Sequence, residues 1–174
     1  GRLMSLVQVN KTIIAAGAES QTVTMTGIDS NNVYMVALNN VHVGGSGGIC
    51  DMQPTTGGSA DTTNNFQIAW TKLNSGSALQ DFANSPQDII RWTDGMQEGP
   101  HSLNGFAFLY NFYDASEYSR VTIEDVYSHT TPSGFVQGGT KAETTSHDGI
   151  HINTNQTGGG GFQAGSTFVL YKVT

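Results

Sequence analysis

Apolar residues recur at every second position in short runs, and turn residues separate almost every run from the next. That pattern limits this chain to a β architecture. The clearest run is 103–113, where Phe106, Phe108, Tyr110 and Phe112 alternate with Gly105, Ala107, Leu109 and Asn111. The four aromatic side chains share one face and are expected in the main core. A second strong run closes the chain. The glycines at 158–161 supply a bend, and Thr167, Val169, Tyr171 and Val173 then alternate with Phe168 and Leu170. Both faces of that run are largely apolar, which predicts a strand buried on both sides and central to a sheet. Weaker runs lie at 3–14, 21–28, 33–43, 49–53, 66–73, 88–93, 118–128, 135–144 and 147–154. The polar run at 135–144 reads as an edge strand. The stretch 54–64 reads as an exposed loop, and 74–86 as the longest irregular connection, with one helical turn at 78–83. No stretch has the periodicity of an amphipathic helix. The expected fold is all-β: an antiparallel β-sandwich of jelly-roll type, with about ten strands. Residues 1–174 form it as a single domain.

Charge narrows the partners. The formal net charge is −7, with only seven Lys and Arg. Phosphate neutralisation needs clustered cations, so nucleic acid is not an expected partner. No apolar run approaches the roughly 20 residues of a membrane-spanning helix, so no membrane insertion is expected. With one cysteine, Cys50, the chain has no internal disulfide and holds by packing and strand pairing. Asp51 beside it disfavours a thiolate, which argues against a catalytic role.

Two patterns resemble chemistry and do not hold up. Gly44-Gly45-Ser46-Gly47-Gly48 has the form of a nucleophile elbow, but that turn needs a helix after it, and both flanks here read as strands. His147 and His151 share a strand face, with Asp148 opposite, but stand about 13 Å apart, too far for one metal ion. No metal or cofactor is expected. Glycoside hydrolysis needs two carboxylates at a set separation across a cleft. Asp114, Glu117, Glu124 and Asp125 read instead as solvated charges. A binding site is better placed in the loop 94–104. Trp92 stands at its base, Asp94, Glu98 and His101 lie within it, and Asn104 ends it. One stacking plane with several hydrogen-bonding groups is the minimum for gripping a sugar ring. The alternative is that Trp92 packs in the core and the polar groups are solvated.

The strand and turn motifs together resemble a known family. The chain opens with Leu3-Met4-Ser5-Leu6-Val7 and continues with Val23-Thr24-Met25-Thr26-Gly27-Ile28. A strand of the form Tyr-x-Val-x-Leu follows from Tyr34, and Leu103-Asn104-Gly105-Phe106-Ala107-Phe108 stands in the middle. The close is Asp148-Gly149-Ile150-His151-Ile152, a glycine-rich turn, then Phe162-x-Ala164-Gly165-x-x-Phe168-x-Leu170-Tyr171. This is similar to the β-sandwich modules of marine bacteriophage virion proteins, cyanophages included, which occur as tail-fibre tips and as stand-alone structural proteins. The family commonly ends in Tyr-Gly and an aliphatic residue, and Lys172 stands here in place of that glycine. The resemblance implies a bacteriophage virion protein without enzyme activity, made in the host cytoplasm and carried on the extracellular particle. It implies a tail-fibre or appendage module engaged in recognition of a host-surface glycan, with other virion proteins as partners. A capsid decoration or tail-attached protein that binds only other virion proteins is the alternative, and a glycan hydrolase a distant third. Fibre tips are usually trimers, so a homo-oligomer, a trimer, is expected. The surplus of Tyr110, Tyr113, Tyr118 and Tyr127 over what one small core encloses points to a homo-oligomer too.

Overall fold

The computed structural model describes every residue except 1–4, 46, 77–78, 97, 129–130 and 156–159, and only the backbone of 84–86 and 94. The strands are β1 (Leu6–Ile13), β2 (Thr22–Thr26), β3 (Tyr34–Val41), β4 (Gly48–Thr56), β5 (Ser59–Ala60), β6 (Phe66–Asn74), β7 (Gln80–Gln87), β8 (Ile90–Met96), β9 (Leu103–Tyr110), β10 (Arg120–Ser128), β11 (Pro132–Lys141), β12 (Gly149–Thr154) and β13 (Thr167–Val173). Among the described residues there is no helix.

All pairings are antiparallel, and they make two sheets that pack as a β-sandwich. The larger sheet has eight strands in the order β1-β13-β3-β9-β10-β11-β6-β7. The smaller has the order β2-β12-β4-β5, and β8 also pairs with β4. The core lies between them. Tyr34, Val36, Leu109, Ile123, Phe168 and Leu170 line the large sheet's inner face, and Met25, Met52, Ile150, Ile152, Ile90 and Trp92 come from the smaller sheet.

The closing strand takes the place its sequence suggests in one respect and not in another. β13 is paired on both edges, by β1 and β3. Its inner face, Phe168 and Leu170, is fully buried; on the other face Val169 is buried too, but Thr167, Tyr171 and Val173 are only half-buried. Lys172 ion-pairs with Asp29 at 2.9 Å. Asp29 also accepts a hydrogen bond from the buried Tyr34 hydroxyl.

The aromatic face of β9 points the other way from expectation. Leu103, Ala107 and Leu109 are the buried residues, while Phe106 is 38% exposed and Phe108 and Tyr110 are half-buried on the outer face. Volume explains the choice. Ala107 stands between Val36 and Ile123, and all three are buried on the inner face. Gly105 stands opposite Asp125, where a Cβ would lie 2.6 Å from the Asp125 Cβ. Of the four aromatics expected inside, only Phe112, beyond the strand's end, is buried. Tyr127 is buried too, whereas Tyr113 and Tyr118 are exposed.

Three further expectations are corrected. The strand expected at an edge, β11, is interior, with β10 on one side and β6 on the other. The outer strand on that side of the sheet is β7, which occupies the connection expected to be irregular. Residues 80–83 of the expected helical turn are extended, and residue 78 lies outside the described residues. The expected loop at 54–64 begins as strand, because Pro54 and Thr55 continue β4 and are buried against β12.

Candidate functional site

A polar cluster stands near each end of β9. At the end where β9 begins, a cleft of about 370 Å³ is lined by His42, Val43, Gly44, Glu98, Gly99 and Gln163. Its geometry begins in β3, which leaves regular pairing with β9 after Leu38. Asn40 adopts a left-handed conformation (φ 53°), and its amide donates to Asn104 Oδ1 at 2.8 Å. The chain therefore turns at that point and presents His42. Its amide donates to Ser166 Oγ, its carbonyl accepts from the Gln163 amide, and Nδ1 donates to the His101 carbonyl at 2.8 Å. A carbonyl only accepts, so the neutral imidazole carries its proton on Nδ1 and offers Nε2 as an acceptor. Phe162 is buried against Phe168, with ring centroids 4.9 Å apart, and pins the segment that carries Gln163.

This cleft gathers part of the site read from the sequence. Glu98 lines it, and His101 contributes its carbonyl to the orientation of His42. Asn104 has a positioning task, with Nδ2 donating to Ser102 Oγ as Oδ1 holds Asn40. The Asp94 backbone lies in β8, and its side chain is outside the described residues. Trp92 is 0% exposed, so it offers no face to a sugar ring, and the packed alternative holds for it. The indole sits inward because β8, paired along β4, turns Trp92 and Ile90 into the core. His42 and Gln163 were missed by sequence reading. They lie 121 positions apart, and the pairing of Phe162 with Val43, with the Gln163 amide donating to the His42 carbonyl, joins them.

What the cleft can do follows from its groups. Glu98 and His42 Nε2 accept hydrogen bonds and make none with one another among the described residues. Gln163 adds an amide, held by Nε2 donating to the Gly161 carbonyl. Such a lining suits a ligand rich in hydroxyl groups.

The opposite end holds a charge cluster. Lys141, fully buried, lies 2.8 Å from Glu143 Oε1, 3.0 Å from Asp61 Oδ2 and 2.8 Å from Asn65 Oδ1. Its ammonium also sits 4.9 Å from the centre of the Phe66 ring. His147 is turned into this end rather than sharing a strand face with His151, because β12 begins only at Gly149. Burial first, and Lys141 second, hold the His147 imidazole below its ordinary pKa. Burial alone would raise the Asp61 carboxyl, but hydrogen bonds from Thr63, with Lys141 and Glu143, hold it well below the usual range.

Asp61, Glu143 and His147 bring ligand atoms within 4.8 Å of one another, the spacing of a metal site. The donor set does not fit one. The Lys141 ammonium already occupies the point between the two carboxylates, and a divalent ion there would meet its charge at contact distance. The cluster is a lysine-centred lock that ties the β5–β6 connection to the end of β11. Asp148 does similar work beside it, accepting from Thr55 Oγ1 at 2.6 Å and the Gly58 amide at 2.9 Å.

Cys50 is buried in the core, and burial, then Asp51 and Asp125, push its thiol pKa up. Of the elbow-like 44–48 segment, Ser46 lies outside the described residues. No protein-family model matches the chain, and no curated protein or solved structure matches it at a significant level.

Proposed function

We propose that the chain is a structural module of a bacteriophage virion, carried on a tail fibre or other appendage, which meets a host-surface glycan at the His42–Glu98–Gln163 cleft. The observation that carries the reading is the interleaved strand order. Strands from the two ends of the chain alternate as β1-β13-β3-β9 in one sheet and β2-β12-β4, with β8 on β4, in the other. We read this as a jelly roll with β10, β11, β6 and β7 added to the larger sheet. Jelly rolls recur in viral coat and lectin domains, which is an argument by fold analogy. The motifs that resemble marine phage virion modules fall on β1, β2, β3, β9, β12 and β13, all strands of that frame, and none falls on the additions. The cleft adds hydroxyl-binding groups at a sheet end, where sandwiches carry function on loops.

A second reading keeps the virion and drops the glycan: a capsid decoration or tail-attached protein that binds only other virion proteins. The half-exposed aromatics Phe106, Phe108 and Tyr110 favour it, since such a face suits a protein partner.

Gold-labelled antibody on purified particles tests the virion assignment, and particles free of label would sink it. The glycan is tested by adsorption of particles carrying His42→Ala with Glu98→Gln, two substitutions outside the core. Reduced adsorption by intact particles is expected. Adsorption equal to the parent's, from particles that do carry the label, leaves the purely structural reading.

A further inference from the structure

We propose that the outer face of the eight-stranded sheet is the contact surface of a two-fold homodimer, in which Arg120 of each copy pairs with Glu124 of the other. The face carries a row of aromatic side chains along β9, with ring centroids 5.7 Å apart for Phe106–Phe108 and 6.4 Å apart for Phe108–Tyr110. In the register of β9 with β10, Phe106 stands opposite Glu124, Phe108 opposite Thr122 and Tyr110 opposite Arg120. On the other side of β10, Glu124 faces Val136 and Arg120 faces Thr140. Each charge therefore sits among neutral neighbours. The two stand about 13 Å apart on one strand, too far to pair with each other. Among the described residues neither makes an ion pair or hydrogen bond.

This arrangement selects its own occupant. A cation and an anion lie at equal distances on either side of Thr122, with an aromatic row in the same register. A two-fold axis through the Phe108–Thr122 pair, lying between the two faces and across the strands, sets Arg120 of one copy over Glu124 of the other, twice. It sets Phe108 over Phe108, and Phe106 over Tyr110. Arginine and glutamate side chains together span the about 10 Å between packed sheets, and sheets stacked this way cross at the usual small angle. The contact is isologous and closes on itself. A three-fold ring would join two different patches of each copy and could not stack this one face wholly against itself, so the self-complementary row favours a dimer over the trimer implied by the resemblance. The inference does not depend on the glycan reading, which uses the end of the sandwich and not its flank.

Charge exchange tests it with the whole chain. Arg120 and Glu124 are exposed, so their substitution leaves the core intact. Sedimentation of the parent chain at about 100 micromolar is expected to show a dimer. Arg120→Glu alone and Glu124→Arg alone each set like charges together and weaken the dimer about tenfold or more. The two combined restore the pairing, and the dissociation constant returns to within about threefold of the parent's. A trimer, or a dimer indifferent to both single changes, overturns the proposal. So does a monomeric parent, and retention of that monomer on an acidic polysaccharide through Arg120 would assign the face to a glycan instead.

Discussion

Lys141 and Asp61 meet at 3.0 Å at the end of the sandwich, and no part of the lysine is exposed. A buried ion pair is expensive to break from one side, because the remaining charge keeps its desolvation cost without its partner. Lys141→Met leaves Asp61 and Glu143 facing each other, and should destabilise the fold by about 3–5 kcal/mol. Urea unfolding of the variant measures it. A loss under about 1 kcal/mol would show that water reaches the cluster.

The same end should loosen in acid. His147 has a folded pKa below the ordinary 6.5, so an unfolded chain takes up its proton first as pH falls. Its contribution is full above about pH 6.5 and is lost as pH falls toward the lower folded value. Asp61 follows the same sign below its ordinary 3.8. Protection factors at the Lys141 and His147 amides, which bond to the Ser119 and Phe112 carbonyls, should drop between pH 7 and pH 5 more than those of Leu109. His147→Phe should flatten that difference.

Asp51 acts in the opposite sense. Burial raises its carboxyl pKa from 3.8 to about 6 despite the Arg91 guanidinium 3.2 Å away. The folded chain therefore holds this proton longer than the unfolded one. Stability from this group is full below about pH 3.8 and is lost as pH rises to about 6. A shift from 3.8 to about 6 corresponds to ~3 kcal/mol. Asp51→Asn removes that titration. Its stability relative to the parent should rise by roughly 2–3 kcal/mol between pH 4 and pH 7.5. An unchanged difference across that range would place the Asp51 proton elsewhere.

Trp92 should behave as a core residue. Trp92→Ala is expected to cost about 3–5 kcal/mol, the usual penalty for emptying an aromatic site. Any effect on adsorption should then track the fraction unfolded. Weakened adsorption by a fully folded Trp92→Ala chain would return the indole to the binding site.

Cys50 should be silent in the native state. A buried thiol with a raised pKa supplies almost no thiolate. A thiol-specific disulfide reagent should label it only at the rate of unfolding, and Cys50→Ser should leave assembly unchanged. Rapid labelling in native buffer would show an opening at β4.

Alternation along β9, β12 and β13 and the turn residues between them were enough to determine an all-β antiparallel sandwich, because a period of two is a local property of the backbone. The same alternation could not say which face of β9 is inside. That depended on Val36 and Ile123 flanking Ala107 and on Asp125 facing Gly105, all brought together by register between distant segments. The candidate site divided in the same way. Glu98 and His101 were legible as polar residues of one loop, whereas His42 and Gln163 joined them through tertiary contacts, the pairing of Phe162 with Val43 among them. Lys141 falls in the polar run 135–144 with nothing local to mark it, and its burial followed from Asp61, Asn65 and Glu143 closing around it. Local chemistry thus determined most strands and their two sides, though not β7, and tertiary structure decided which side faced inward, since burial is a property of what stands opposite.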